Sequence, residues 1–117
     1  RYLGDLSEAE KIKLMQTNKA LIYATTHPEV TSHKLQECLL CGIPVIVSDI
    51  GAAYELIADK VNGFLCRTED EFLVAMKRIN QLEPMKVYEE IKHRFDIKTV
   101  VSDYVKLYQT VADGTRW

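Results

Sequence analysis

Ala20-Leu21-Ile22-Tyr23-Ala24-Thr25-Thr26-His27-Pro28-Glu29-Val30-Thr31-Ser32-His33-Lys34-Leu35-Gln36-Glu37-Cys38-Leu39-Leu40-Cys41-Gly42-Ile43-Pro44-Val45-Ile46-Val47-Ser48 is the stretch on which the fold turns. It opens on the uninterrupted apolar run 20–24 and closes on a second run over 44–48. Short runs without polar alternation are what parallel strands covered on both faces look like. Between them lies a polar loop, Thr25 to Ser32, and then Leu35, Cys38 and Leu39 at helical spacing, with Gly42 as the helix stop. The stretch is a strand-helix-strand unit, and the first run is expected to be a central strand.

The same alternation extends in both directions. Upstream, Arg1 to Gly4 reads as a strand end, and Ser7-Glu8-Ala9-Glu10 forms a capping box for a helix whose buried side carries Ile12, Leu14 and Met15. Downstream, a short helix around Tyr54–Ile57 leads to the Asn62-Gly63 turn and a strand, Phe64-Leu65-Cys66. Thr68 and Glu71 cap another helix, with Phe72, Ala75, Met76 and Ile79 along one side, ending near Pro84. Beyond Pro84 only helical spacing remains: Tyr88, Ile91 and Phe95, then Val100, Val101, Tyr104, Leu107, Tyr108 and Val111. The expected fold class is α/β, a Rossmann-like open parallel sheet of about four strands with flanking helices and a helical C-terminal tail. Residues 1–117 form one domain in this reading, and ligands are expected beyond the carboxyl ends of the strands.

Composition narrows the partners. A chain of 117 residues, 47% hydrophobic and 27% charged, has the balance of a globular domain. Its formal charge of -2 offers no basic excess for a nucleic-acid backbone, so nucleic acid is not an expected partner. No apolar run approaches the roughly 20 residues of a membrane span, and the start has no signal-peptide pattern, so the expected location is cytoplasmic. Cys38, Cys41 and Cys66 suggest no disulfide framework. The Cys38–Cys41 pair could be redox-active or half of a zinc site, but it falls inside a helix pattern without a second ligand pair, so core packing is its reading. No metal or cofactor is expected.

The chemistry lies in 27–37. The amides at a helix start are unpaired and the helix dipole is positive there, so a diphosphate can be held near Thr31, Ser32 and His33, with Lys34 adding charge. Glu37, one turn into the helix, is placed to accept hydrogen bonds from a ribose diol. For an isolated pair, service to the helix dipole or to solvent is the favoured reading of Glu29 and Glu37. His27, His33 and His93 have no acid or nucleophile partner close in sequence and are assigned no catalysis.

Four ordered blocks change that balance. Glu29 and Glu37 are separated by seven residues and followed by Gly42-Ile43-Pro44-Val45; Tyr2-Leu3-Gly4-Asp5-Leu6-Ser7 precedes them, and Glu55 and Asn62-Gly63-Phe64-Leu65 follow. In this the chain resembles the C-terminal, donor-binding domain of glycosyltransferase family 4, over Tyr2 to about Ile79. It carries Val30-Thr31-Ser32 where many members have a glycine and an aromatic. The resemblance implies a two-domain GT-B enzyme that transfers sugar from a nucleoside-diphosphate sugar to an acceptor with retention, without a metal. It implies that Glu29 lies beside the transferred carbon of the donor, that Glu37 holds the ribose, and that Gly4, Asp5 and Leu6 sit against the nucleobase. Lys34 is similar to a lysine that many members place before the second glutamate.

By the same resemblance, the acceptor domain, the first strands of this sheet and the Arg and Lys that neutralise the leaving diphosphate would lie upstream of Arg1. The chain alone is then expected to bind donor but not to transfer it, and the full protein could attach peripherally to a membrane. The strand at Gly4 and the strand at Ala20 would pair directly in a rearranged order, or a second chain would cover the open edge and make a homo-oligomer. A non-catalytic module that binds a nucleotide sugar or a partner is the alternative, and a sugar-nucleotide epimerase is a third reading.

Overall fold

In the computed structural model, residues 2–114 are described; Arg1 and residues 115–117 lie outside them. The strand-helix-strand unit forms as read. β1 (Leu21–Tyr23), α2 (His33–Leu40), β2 (Val45–Ser48), α3 (Ala53–Leu56) and β3 (Gly63–Cys66) follow α1 (Glu8–Thr17). Three helices complete the chain: α4 (Glu69–Arg78), α5 (Pro84–Lys92) and α6 (Ile97–Ala112). All three strands are parallel in the order β1-β2-β3, with Ile22 opposite Ile46 and Ile46 opposite Phe64.

Side chains of β2 point alternately to two apolar layers, as the period of a strand requires. Val45 and Val47 face Leu35, Cys38 and Leu39 of α2 and Val87 and Ile91 of α5; Ile46 faces Phe64, Cys66, Ala75 and Ile79. Both layers are closed only over β2, which explains why its sequence is apolar without alternation. Cys38 and Cys66 are buried and Cys41 is half-buried, all three as free thiols, so the cysteines are packing residues. Burial pushes the Cys38 thiol up to about 11.

The sheet has three strands rather than about four, and β1 is an edge strand rather than the central one. Residues 2–4 are not a strand: Gly4 takes φ +72, and no neighbouring backbone offers the ladder that would define one. The rearranged pairing of the Gly4 and Ala20 segments therefore does not occur, and β1 keeps an unpaired edge among the described residues. Ile22 is 50% exposed because α4 covers β2 and β3 but stops short of β1.

The capping boxes at Ser7 and Thr68 form as expected. The helix sides are less buried than their spacing suggested. In α1 only Met15 reaches the core while Ile12 and Leu14 remain exposed, and Met76 of α4 and Tyr88 of α5 also face outward. Pro84 does not end α4, which passes into a turn of 3-10 helix over Ile79–Gln81; it opens α5, where its missing N–H is not needed. α6 buries no residue at all. No described helix is long and apolar enough to cross a membrane.

Candidate functional site at the carboxyl end of the sheet

β1 ends at Tyr23, and the following loop brings Glu29 back over the carboxyl ends of β1 and β2. Three contacts fix it there. The Tyr23 hydroxyl donates to Glu29 Oε1 at 2.5 Å. The Ala52 N–H, in the loop after β2, donates to the Glu29 carbonyl at 2.9 Å. Gly51 takes φ +59, and a Cβ there would stand 2.6 Å from both the N and the O of Glu29, so only glycine lets the two loops meet this closely.

Glu29 lines a crevice with Tyr23, Thr31, Ser32, Val47 and Ile50 among others. The crevice encloses about 10 Å³, room for a single water, so anything larger must lie across its rim. The hydrogen bond to Glu29 raises the pKa of Tyr23, with burial and the carboxylate charge adding to it and the nearby Ser32 hydroxyl opposing it.

α2 starts at this rim. Ser32 is its N-cap and is buried, yet its side chain makes no capping hydrogen bond, and the first turn holds no acid. α1, α4 and α6 are all capped by side chains, through Ser7, Thr68 and Asp96. The intrahelical ladder of α2 begins with the Gln36 N–H donating to Ser32, which leaves the amides of His33, Lys34 and Leu35 outside it. Gln36 Nε2 donates to Thr31 Oγ1 at 2.8 Å and ties the loop to the helix. The Lys34 ammonium stands 5.4 Å from the centre of the Tyr23 ring.

Glu37 shares the Lys34 side of α2, three residues on. Its carboxylate is half exposed and lies 4.0 Å from Lys11 of α1, which also pairs with Glu8 at 2.7 Å. A continuous line of contacts thus runs from Glu29 through Tyr23 to Lys34, and Glu37 follows one turn further along the helix. Thr31 and Ser32 line the crevice, whereas His33 and Lys34 stand outside it. Gly4, Asp5 and Leu6 precede α1 and are not part of the crevice; Gly4 and Asp5 are exposed and Leu6 is half-buried. Glu55 is exposed, with its main-chain carbonyl accepting a hydrogen bond from Arg94.

Sequence reading missed Tyr23, Lys11 and Gly51. In the sequence Tyr23 sits within an apolar run, although a phenol at the last residue of a strand is a signal in itself. A second pairing, Arg67 Nη2 to Asp49 Oδ2 at 2.6 Å, joins the ends of β3 and β2. Among the described residues no three His, Cys, Asp or Glu side chains gather as a metal site.

Residues 1–98 match the family model described as Glycosyl transferases group 1. The chain is similar to a protein named phosphatidyl-myo-inositol mannosyltransferase from Mycobacterium leprae (strain TN), 29% identical over 119 residues, covering 96% of this chain and 32% of the relative. It is also similar to the protein of that name from Mycolicibacterium smegmatis, 28% identical over 121 residues, covering 96% of this chain and 31% of the relative. The chain spans about a third of the length of these curated relatives. With most of its length inside the family model, the chain belongs to the group 1 glycosyl transferases.

Proposed function

We propose that this chain is the C-terminal, donor-binding part of a retaining glycosyltransferase of family 4, and that it binds the nucleoside-diphosphate sugar from which the full protein transfers a hexose. The carrying observation is the position of Glu29 over the carboxyl ends of β1 and β2, beside a helix start that no side chain caps. The free amides at His33, Lys34 and Leu35 hold the diphosphate, with Thr31, Ser32 and the Lys34 ammonium next to it. Negative charge growing on the leaving diphosphate then meets fixed donors, which is the electrostatic form of catalysis. Glu29 faces the transferred sugar, Glu37 accepts from the ribose diol, and Gly4, Asp5 and Leu6 approach the nucleobase.

In this reading Lys11, 4.0 Å from Glu37 and paired more closely with Glu8 at 2.7 Å, leaves the Glu37 carboxylate open to the ribose. The relatives' names refer to mannose transfer, so mannose is the first hexose to try. The full protein acts in the cytoplasm with its acceptor bound by a further domain, and no metal ion takes part in the proposed site. Isothermal titration of the 117-residue chain with uridine and guanosine diphosphate hexoses tests the proposal. Binding of one of them, lost on Glu37→Ala, is the expected result. Absence of binding to every nucleotide would leave the alternative, a module for assembly with a partner.

A further inference from the structure

We infer that Tyr23 is a positioning residue for Glu29: its phenol holds one carboxylate oxygen so that the other is presented to the donor sugar. The inference rests on the reading of Glu29 as the group that meets that sugar. A glutamate on the loop between β1 and α2 would ordinarily sample several rotamers, because its three side-chain torsions are free. Here both ends of the residue are fixed. The main chain is held by the Ala52 N–H and by the close approach of Gly51, and Oε1 accepts from Tyr23 at 2.5 Å. Oε2 accepts no hydrogen bond from the described residues.

Tyr23 is suited to the task because it is the last residue of a strand paired with β2, where it stands opposite Val47. Its ring packs against the α2 layer and lies under the Lys34 ammonium at 5.4 Å. The groups that meet it are Glu29 and Ser32 from the loop and Lys34 from α2. A phenol also keeps its proton throughout the neutral range, so it remains a donor to Glu29 there. In a nucleotide site this arrangement favours the sugar specifically. The diphosphate and ribose contact other residues and gain nothing from it.

The test compares Tyr23→Phe with the unaltered 117-residue chain, using a nucleoside-diphosphate hexose and the same nucleoside diphosphate without its sugar. Removing only the hydroxyl keeps the ring, and thermal unfolding by circular dichroism checks that the fold persists. Affinity for the sugar nucleotide is expected to fall about tenfold, the size of one lost hydrogen-bonded orientation, with affinity for the plain diphosphate unchanged. In parallel, carbon NMR of labelled tyrosine rings should show the Tyr23 phenol titrating at lower pH in Glu29→Gln. Equal weakening of both ligands, or none of either, would overturn the positioning role while leaving the donor site standing. If the unaltered chain binds neither ligand, the donor-site reading falls and takes this inference with it.

Discussion

Gly51 shows how a residue without chemistry can set a site. With φ +59 and no room for a Cβ between it and Glu29, Gly51→Ala must shift both loops. Strain of this kind is expected to lower stability by roughly 1–3 kcal/mol in urea unfolding and to release Glu29 from its place. Weaker binding of the sugar nucleotide than of the plain diphosphate would report that release. Cys38 carries a different consequence of burial. Its folded pKa of about 11 exceeds the ordinary thiol value near 9, so the stability it contributes is complete below pH 9 and declines as pH rises through 11. At pH 8 Cys41, half-buried, should be alkylated by iodoacetamide ahead of Cys38 and Cys66, as peptide mass spectrometry would resolve.

Among the elements, α4 and α6 mark opposite ends of a scale. α4 is capped by Thr68 and Glu71, carries three acids in its first turn and Lys77 and Arg78 in its last, and seats Ala75 against β3. Thr68→Ala is expected to lower stability by about 1 kcal/mol, the usual worth of an N-cap. α6 has an apolar stripe as regular as any, yet Val101, Tyr104, Val105 and Tyr108 are about half exposed or more. Replacing Tyr104 and Tyr108 together by serine should therefore change urea stability by no more than about 0.5 kcal/mol. The same measurement on Ile91→Ala, a fully buried α5 residue, should show a loss of roughly 2–5 kcal/mol.

For the molecule as a whole, size and shape carry the same message. The radius of gyration is 16.6 Å, whereas a compact chain of this length would have one of about 13 Å. α6 buries no residue and β1 keeps an unpaired edge among the described residues, so neither is packed as a compact domain would pack it. An open strand with Ile22 half exposed invites pairing with another copy. Sizing chromatography of the chain is expected to show an apparent mass that rises with concentration, and Ile22→Lys should suppress it. A constant monomer mass across that range would mean that the edge is protected.

The sequence by itself determined the local elements and their order. Ser7 and Thr68 announced helix starts, and the apolar runs at 20–24 and 44–48 announced strands. Each of these depends on contacts within a few residues, or on a spacing that one element displays alone. What only the tertiary structure decided were the relations between distant segments. Nothing near Tyr2–Gly4 could say whether a partner strand would be there, nor could the stripe on α6 say whether anything would cover it. Tyr23 looked like one more apolar strand residue, because its bond to Glu29 exists only after the loop folds back and Gly51 lets the next loop close upon it. Patterns in a chain encode which surfaces seek burial, whereas which surfaces meet depends on the packing of the whole sheet.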